Sequence, residues 1–277
     1  MLEDRFVTVD GLRWRYLHAG SGSPVVLVHG LLGHSFSWRY VLPELGREHE
    51  VIAVDLPGSG DSDPQADEVS LPKSSKRFLR FLDALSIPHC DVIGTSYGGA
   101  IAMTAAALAP KRIDRLVLAA PVNPWSTHGK LLALFLSNSI VAPAFLRLAP
   151  YLGVLHEFYF RRLFGDTRRI PQGSLEGYMR PLLRQGILEH KLRLLRTWNR
   201  DLWGLRSAIP QIQDIPTLLI WGSEDAAVSP ASAQELKRQF RDCHLRILYG
   251  IGHLPYEEAP AEFERAVVEF LKRPRAR

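Results

Sequence analysis

Val92-Ile93-Gly94-Thr95-Ser96-Tyr97-Gly98-Gly99-Ala100 holds the pattern G-x-S-x-G between a short apolar run and a small-residue, helix-prone stretch that reaches Leu108. Five such residues arise by chance in many chains, so the flanks decide the reading. A strand that turns sharply into a helix leaves the central serine strained at the tip of the turn. Gly94 and Gly98 are then required, because a side chain at either would collide with neighbouring backbone. The Ser96 hydroxyl is presented at the carboxyl end of a sheet, where open α/β sheets bind ligands. It also sits at the positive end of a helix dipole, which favours a developing oxyanion. The plainer alternative is a serine that caps a helix after a glycine-rich turn.

Outward from this turn, apolar runs recur at Pro24 to His29, Val51 to Val54, Asp91 to Ile93, Leu116 to Ala120, Thr217 to Trp221 and Leu245 to Leu248. Runs without polar alternation mark strands buried on both faces. Helical patterns lie between most of them: Leu71 to Leu85, Ala100 to Leu108, Ala231 to Phe240, and Glu257 to Leu271 with Phe263, Val267, Phe270 and Leu271 on one face. Strands alternating with helices predict an α/β fold with a mostly parallel sheet covered on both sides. Ahead of them, Phe6 to Val9 and Leu12 to Leu17 flank Asp10-Gly11, a hairpin signal that adds an antiparallel edge. From about residue 123 to 213 there is no convincing buried strand. This Leu- and Arg-rich stretch, punctuated by Pro143, Pro150, Pro171, Pro181 and Pro210, is far too long for a loop. It predicts a helical cap subdomain (123–213) inserted into a core domain formed by residues 1–122 and 214–277.

The 277 residues, 46% apolar and 23% charged, suit one globular α/β domain with an insertion. The net charge of +5 comes from 34 Lys and Arg, mostly Arg, which are scattered. No basic stripe interleaved with aromatics appears, so no nucleic-acid partner is expected. Met1-Leu2-Glu3-Asp4-Arg5-Phe6 has acidic residues where a secretion signal needs positive charge and then an apolar run. The most apolar stretch, Leu131 to Leu148, is broken by Ser137, Asn138, Ser139, Pro143 and Arg147, whereas a membrane span needs ~20 mostly apolar residues. A cytoplasmic protein with no membrane span is the expectation.

A serine hydroxyl is a poor nucleophile until a base takes its proton. Of the ten histidines, His253 stands out in Gly250-Ile251-Gly252-His253-Leu254-Pro255, on a loop after the last apolar run and so on the same sheet edge as Ser96. The histidine needs an acid to fix its tautomer and stabilise the imidazolium. Asp225, in the turn after Leu218-Leu219-Ile220-Trp221-Gly222, is the choice, with Glu224 as runner-up; the plainer reading makes both of them helix-capping carboxylates. An oxyanion hole needs two preorganised N–H groups. These are assigned to the backbone of Tyr97, next to the nucleophile, and of Leu31 in His29-Gly30-Leu31-Leu32-Gly33-His34, a loop that the side chains of His29 and His34 would shape. No metal-ligand spacing accompanies His29, and no G-x-G-x-x-G or P-loop follows any strand, so neither metal nor nucleotide cofactor is implied.

His29-Gly30, Asp55-Leu56-Pro57-Gly58-Ser59-Gly60-Asp61-Ser62, the Ser96 turn, Gly222-x-x-Asp225-x-x-Val228 and Gly252-His253-x-Pro255-x-x-Glu258-x-Pro260 stand in the order seen in α/β hydrolases. Over residues 5–121 and 213–272 the chain resembles that superfamily, in its serine-nucleophile branch with a helical cap. The resemblance implies an eight-stranded sheet in the order 1-2-4-3-5-6-7-8, with the cap after strand six. In that order Cys90 and Cys243, each opening a predicted strand, are about three strands apart, roughly 14 Å; this is too far for a disulfide, and free thiols are expected. Members that cleave epoxides or carbon–halogen bonds use an aspartate at the turn, so Ser96 argues against both.

The leading expectation is hydrolysis of small-molecule carboxylic esters through an acyl-enzyme. Leu131, Leu132, Leu134, Phe135, Phe158, Tyr159 and Phe160 suggest an apolar acyl pocket, or else the cap's own core. Cleavage of C–C bonds in ring-cleavage products, or perhydrolysis, could use the same triad, although Gly30-Leu31-Leu32-Gly33 lacks the glycine-rich extension usual in ring-cleavage hydrolases. An aminopeptidase would need cap carboxylates such as Glu157, Asp166, Glu176 or Glu189. A ligand-binding receptor on the same fold is the alternative of another class.

Overall fold

The structure is a computed structural model that describes residues 2–65, 67–126, 135–136, 138, 140–148, 151 and 153–273. Eight strands, β1 (Glu3–Val9), β2 (Leu12–Ala19), β3 (Pro24–Val28), β4 (Glu50–Val54), β5 (Cys90–Thr95), β6 (Ile113–Ala119), β7 (Thr217–Gly222) and β8 (Cys243–Leu248), form one sheet. Their order is β1-β2-β4-β3-β5-β6-β7-β8, as the resemblance implies. β1–β2 and β2–β4 pair antiparallel and every other pair is parallel. The carboxyl ends of β3 through β8 therefore share one edge.

Side chains along a strand alternate between faces, and here both faces are dry. Val26, Val28, Ile52, Val54, Val92, Leu116 and Leu118 pack into one buried cluster. Their neighbours Val25, Leu27, Val51, Ala53, Ile93, Val117 and Ala119 pack into another. That is why these runs are apolar without interruption. The first face is covered by α2 (Leu71–Ala84) and α3 (Tyr97–Leu108), the second by α1 (Val41–Leu45) and the C-terminal helix. Cys90 and Cys243, opening β5 and β8, are not joined in a disulfide.

Between β6 and β7 the described residues hold helices and no strand: α4 (Val141–Leu148), α5 (Gly153–Arg161), α6 (Ser174–Leu182) and α7 (Ile187–Ala208). α7 is not confined to the insertion, since its Leu194, Trp198, Leu202 and Leu205 join the sheet's own cluster. Of the apolar residues singled out in the insertion, Phe160 is buried against Phe164 and Tyr178, whereas Phe135, Phe158 and Tyr159 are exposed. Leu131, Leu132 and Leu134 lie outside the described residues.

After β7 come α8 (Ala231–Lys237), then α9 (Pro255–Glu258) and α10 (Pro260–Leu271). The single helix expected over Glu257 to Leu271 is thus two, broken at Ala259 with φ −139°. Pro260 disfavours the helical region for the residue before it. Among the described residues no helix is long and apolar enough to cross a membrane.

Candidate active site

Ser96 lies between β5 and α3 with φ 51° and ψ −119°, a region non-glycine residues rarely adopt. The surrounding backbone holds it there. Its N–H donates to the Ala119 carbonyl at 3.0 Å, and its own carbonyl accepts from Gly99, Ala100 and Val122 at 3.1, 3.3 and 2.9 Å. A Cβ on Gly94 would lie 2.7 Å from the Gly98 carbonyl oxygen, and one on Gly98 would lie 2.3 Å from that of Val28. From Cys90 to Ala106 every residue is buried except Ser96.

His253 sits on the loop between β8 and α9, at the same sheet edge. Its Nδ1 is 2.8 Å from Asp225 Oδ2, and the two side chains are 7% and 0% exposed. The other carboxylate oxygen, Oδ1, accepts from the Ala227 and Val228 N–H groups at 2.8 Å each, which fixes the carboxylate in the turn after β7. A carboxylate held by two amides donates nothing, so Nδ1 carries the proton toward Asp225 and Nε2 is left as the basic atom. Glu224, the runner-up, is exposed and accepts from the Ser223 hydroxyl instead. The plainer reading of both carboxylates as helix caps holds only in part, because Asp225 caps its turn and orients the imidazole at once.

The loop after β3 is set by His29, which is fully buried. Its Nε2 accepts from the Leu56 N–H at 3.0 Å, so Nδ1 must carry the hydrogen donated to the Gly30 carbonyl at 2.7 Å. Burial, then the charge of Lys191, holds its pKa well below the usual value and keeps it neutral. The Gly30 carbonyl also accepts from the Gly33 N–H at 3.1 Å. A trans peptide points its N–H opposite its C=O, so these two bonds fix where the Leu31 N–H points. Tyr97 is the first residue of α3, and its N–H has no intrahelical acceptor. His34 Nε2 donates to the Gly177 carbonyl at 3.0 Å, tying this loop to α6.

Sequence reasoning missed the groups that join the insertion to the site. Glu258, quoted above without a role, accepts from the N–H groups of Gly252, Gly165 and Asp166 at 2.8, 2.9 and 2.9 Å. The His253 N–H donates to the Leu163 carbonyl at 2.7 Å. Arg39 pairs with the buried Glu257, which also accepts from the Tyr178 hydroxyl at 2.7 Å. Asp201 of α7 accepts from the Leu71 N–H at 2.7 Å and so caps α2 from another helix. Only Glu258 had a sequence signal, its place between His253 and Pro260. Of the carboxylates considered for a substrate amine, Glu157 and Asp166 pair with Arg161 and Arg168 at 2.8 Å.

With this geometry in view, the family model described as alpha/beta hydrolase fold matches residues 23–260, and the chain belongs to that family. It is 30% identical over 277 residues to a 2-hydroxymuconate semialdehyde hydrolase of Pseudomonas sp. strain CF600, covering 96% of this chain and 93% of that one. It is 24% identical to the human monoacylglycerol lipase ABHD6, covering 94% of this chain and 82% of that one. Among solved structures, Cfl2 from Burkholderia cenocepacia superposes with a TM-score of 0.85 at 22% identity, over 98% of this chain and 96% of that one.

Proposed function

We propose that this protein is a serine hydrolase that cleaves carboxylic esters of small to medium acyl chain. His253 Nε2 takes the Ser96 proton as Oγ attacks the ester carbonyl, and the Leu31 and Tyr97 amides hold the oxyanion. The imidazolium, stabilised by Asp225, gives its proton to the departing alcohol. Water, deprotonated by the same Nε2, then attacks the acyl carbon, and the imidazolium returns that proton to Ser96 Oγ as the acid departs. The inserted helices act as a cap over this edge. The observation that carries the reading is the buried 2.8 Å bond between His253 and Asp225, on the sheet edge where the strained Ser96 is the one residue of its turn open to solvent.

A panel of p-nitrophenyl esters of rising chain length tests it. Ser96→Ala is expected to lower kcat by roughly 10⁴–10⁶ while the fold persists; turnover like the wild type's would overturn the mechanism. A second reading, C–C bond hydrolysis of a ring-cleavage product, is favoured by the 30% identity to the semialdehyde hydrolase. A higher kcat/KM for such a product than for any ester in the panel would select it. Binding of these compounds without turnover would select a receptor.

A further inference from the structure

The insertion exposes apolar side chains that its own packing leaves uncovered. Phe135, Ile140, Leu148, Tyr151, Val154 and Phe158 are each more than half exposed. Ile140, Ala144 and Leu148 recur every four residues along α4 and the turn before it, and all three are exposed. Val154 and Phe158 recur likewise on α5. The next position in that row is Arg162, whose guanidinium lies over the Phe158 ring, 5.9 Å from its centroid. Residues four apart share a helix face. The opposite sides are already packed: Ala142 is buried on α4, and Phe160 on α5 sits against Phe164 and Tyr178. A helix that is apolar on a second, outward side is expected to be covered there too.

The charge of the chain is weighted to this same insertion. Residues 123–213 hold 13 of the 34 Lys and Arg but 5 of the 29 Asp and Glu, a net +8, which leaves −3 for the rest of the chain. Arg147, Arg161 and Arg162 are exposed at the ends of the two apolar rows. Of these three, only Arg161 has a carboxylate partner among the described residues, Glu157 at 2.8 Å. A two-fold contact with a second copy would bring two such basic faces together, which like charge opposes. An anionic bilayer matches both features: the apolar side chains enter the acyl boundary while the guanidiniums meet the lipid phosphates. Tyr151, with an apolar ring and a polar tip, is of the type enriched at that depth. No described helix is long and apolar enough to cross a membrane, so the contact is peripheral.

We propose that the outward faces of α4 and α5 dock this protein on an anionic phospholipid bilayer. α5 leads directly to Leu163, whose carbonyl accepts from the His253 N–H, so the docking surface adjoins the segment bonded to the candidate site. The contact does not depend on Ser96 being the nucleophile, and binding alone tests it.

The full chain is sedimented with vesicles of phosphatidylcholine alone and with vesicles that also contain about one-third phosphatidylglycerol. It should bind the anionic vesicles and not the neutral ones, and added salt should weaken the binding by screening the arginines. Leu148→Asp/Val154→Asp and Arg147→Gln/Arg162→Gln should each lower the partition coefficient by roughly 10- to 100-fold, the first by removing inserted apolar groups and the second by removing two charges. All four positions are exposed, so the urea midpoint of either variant should match that of the wild type. No binding of the wild type to anionic vesicles overturns the proposal. So does equal binding to neutral ones, or binding that Leu148→Asp/Val154→Asp leaves unchanged. A wild-type dimer that binds no vesicles and that Leu148→Asp/Val154→Asp dissociates would assign the face to a second copy, and overturns it too.

Discussion

At the scale of single residues, the backbone of Ser96 and the side chain of Lys191 both sit where stability alone would not place them. A non-glycine residue at φ 51° costs on the order of 1–3 kcal/mol. Ser96→Gly should therefore be more stable than Ser96→Ala by about 1 kcal/mol in urea unfolding, with both inactive, because only glycine adopts this region freely. Lys191 is expected to behave in the same sense. Burial lowers its pKa to about 7, from about 10.5 for the free side chain, against the opposing pull of Asp55. Between those two values the unfolded chain binds a proton that the folded one does not, so stability rises with pH across that window and the cost is complete below it. Lys191→Met should stabilise the protein by several kcal/mol at pH 6.5 and lose most of that gain near pH 10. His190, lowered by burial to about 3, titrates in a lower window, where its own contribution falls as the solution is acidified below the ordinary histidine range. Unfolding midpoints at the two pH values check the lysine separately. A loss of stability at pH 6.5 would mean that Lys191 serves to dock α7 on the core.

At the scale of elements, the β5–α3 turn depends on the absence of two side chains. The Cβ of Gly94→Ala would lie 2.7 Å from the Gly98 carbonyl oxygen and 2.8 Å from the Gly99 Cα, backbone that cannot swing away. The substitution should cost about 2–3 kcal/mol and lower both Tm and activity, because the strand and helix can separate only by moving Ser96. This turn was legible in the sequence, as were the central strands, because burial on both faces leaves uninterrupted apolar runs and glycines mark the close approach. The order of Ser96, Asp225 and His253 was legible for the same reason, each following a readable strand at one edge. The break at Ala259 is not legible in the periodicity, because Phe263, Val267 and Phe270 lie beyond it at helical spacing and Pro260 is its sign in the sequence. The insertion was legible as helical but not in its contacts. Lys191 stands in a run of Leu and Arg like any surface lysine, and its hydrogen-bond partner Ser59 is 132 residues away. Arg39 and Glu257 meet across 218 residues, a distance no local pattern reports.

At the scale of the whole molecule, the insertion and the His253 loop form one hydrogen-bonded unit. The Glu258 side chain is fully buried, and its carboxylate accepts three backbone N–H groups, one from the His253 loop and two from the segment between α5 and α6. The His253 N–H reaches the Leu163 carbonyl of that same segment. Moving the insertion therefore moves His253, so under the proposed mechanism the inserted helices would help to place the base as well as cover it. Glu258→Gln keeps the shape but turns one acceptor oxygen into an amide that donates, against N–H groups that also donate. At least one of the three amides is then buried without a partner, at about 1–3 kcal/mol. The loop and the α5–α6 segment should loosen together. Activity should fall by roughly 10- to 100-fold, chiefly in kcat, since a small misplacement of a catalytic group is costly. Proteolytic nicking between residues 162 and 173 should rise in parallel in the same protein. If kcat drops with no change in nicking, Glu258 acts on the His253 loop alone; if nicking rises while kcat holds, the insertion is not what keeps His253 in place.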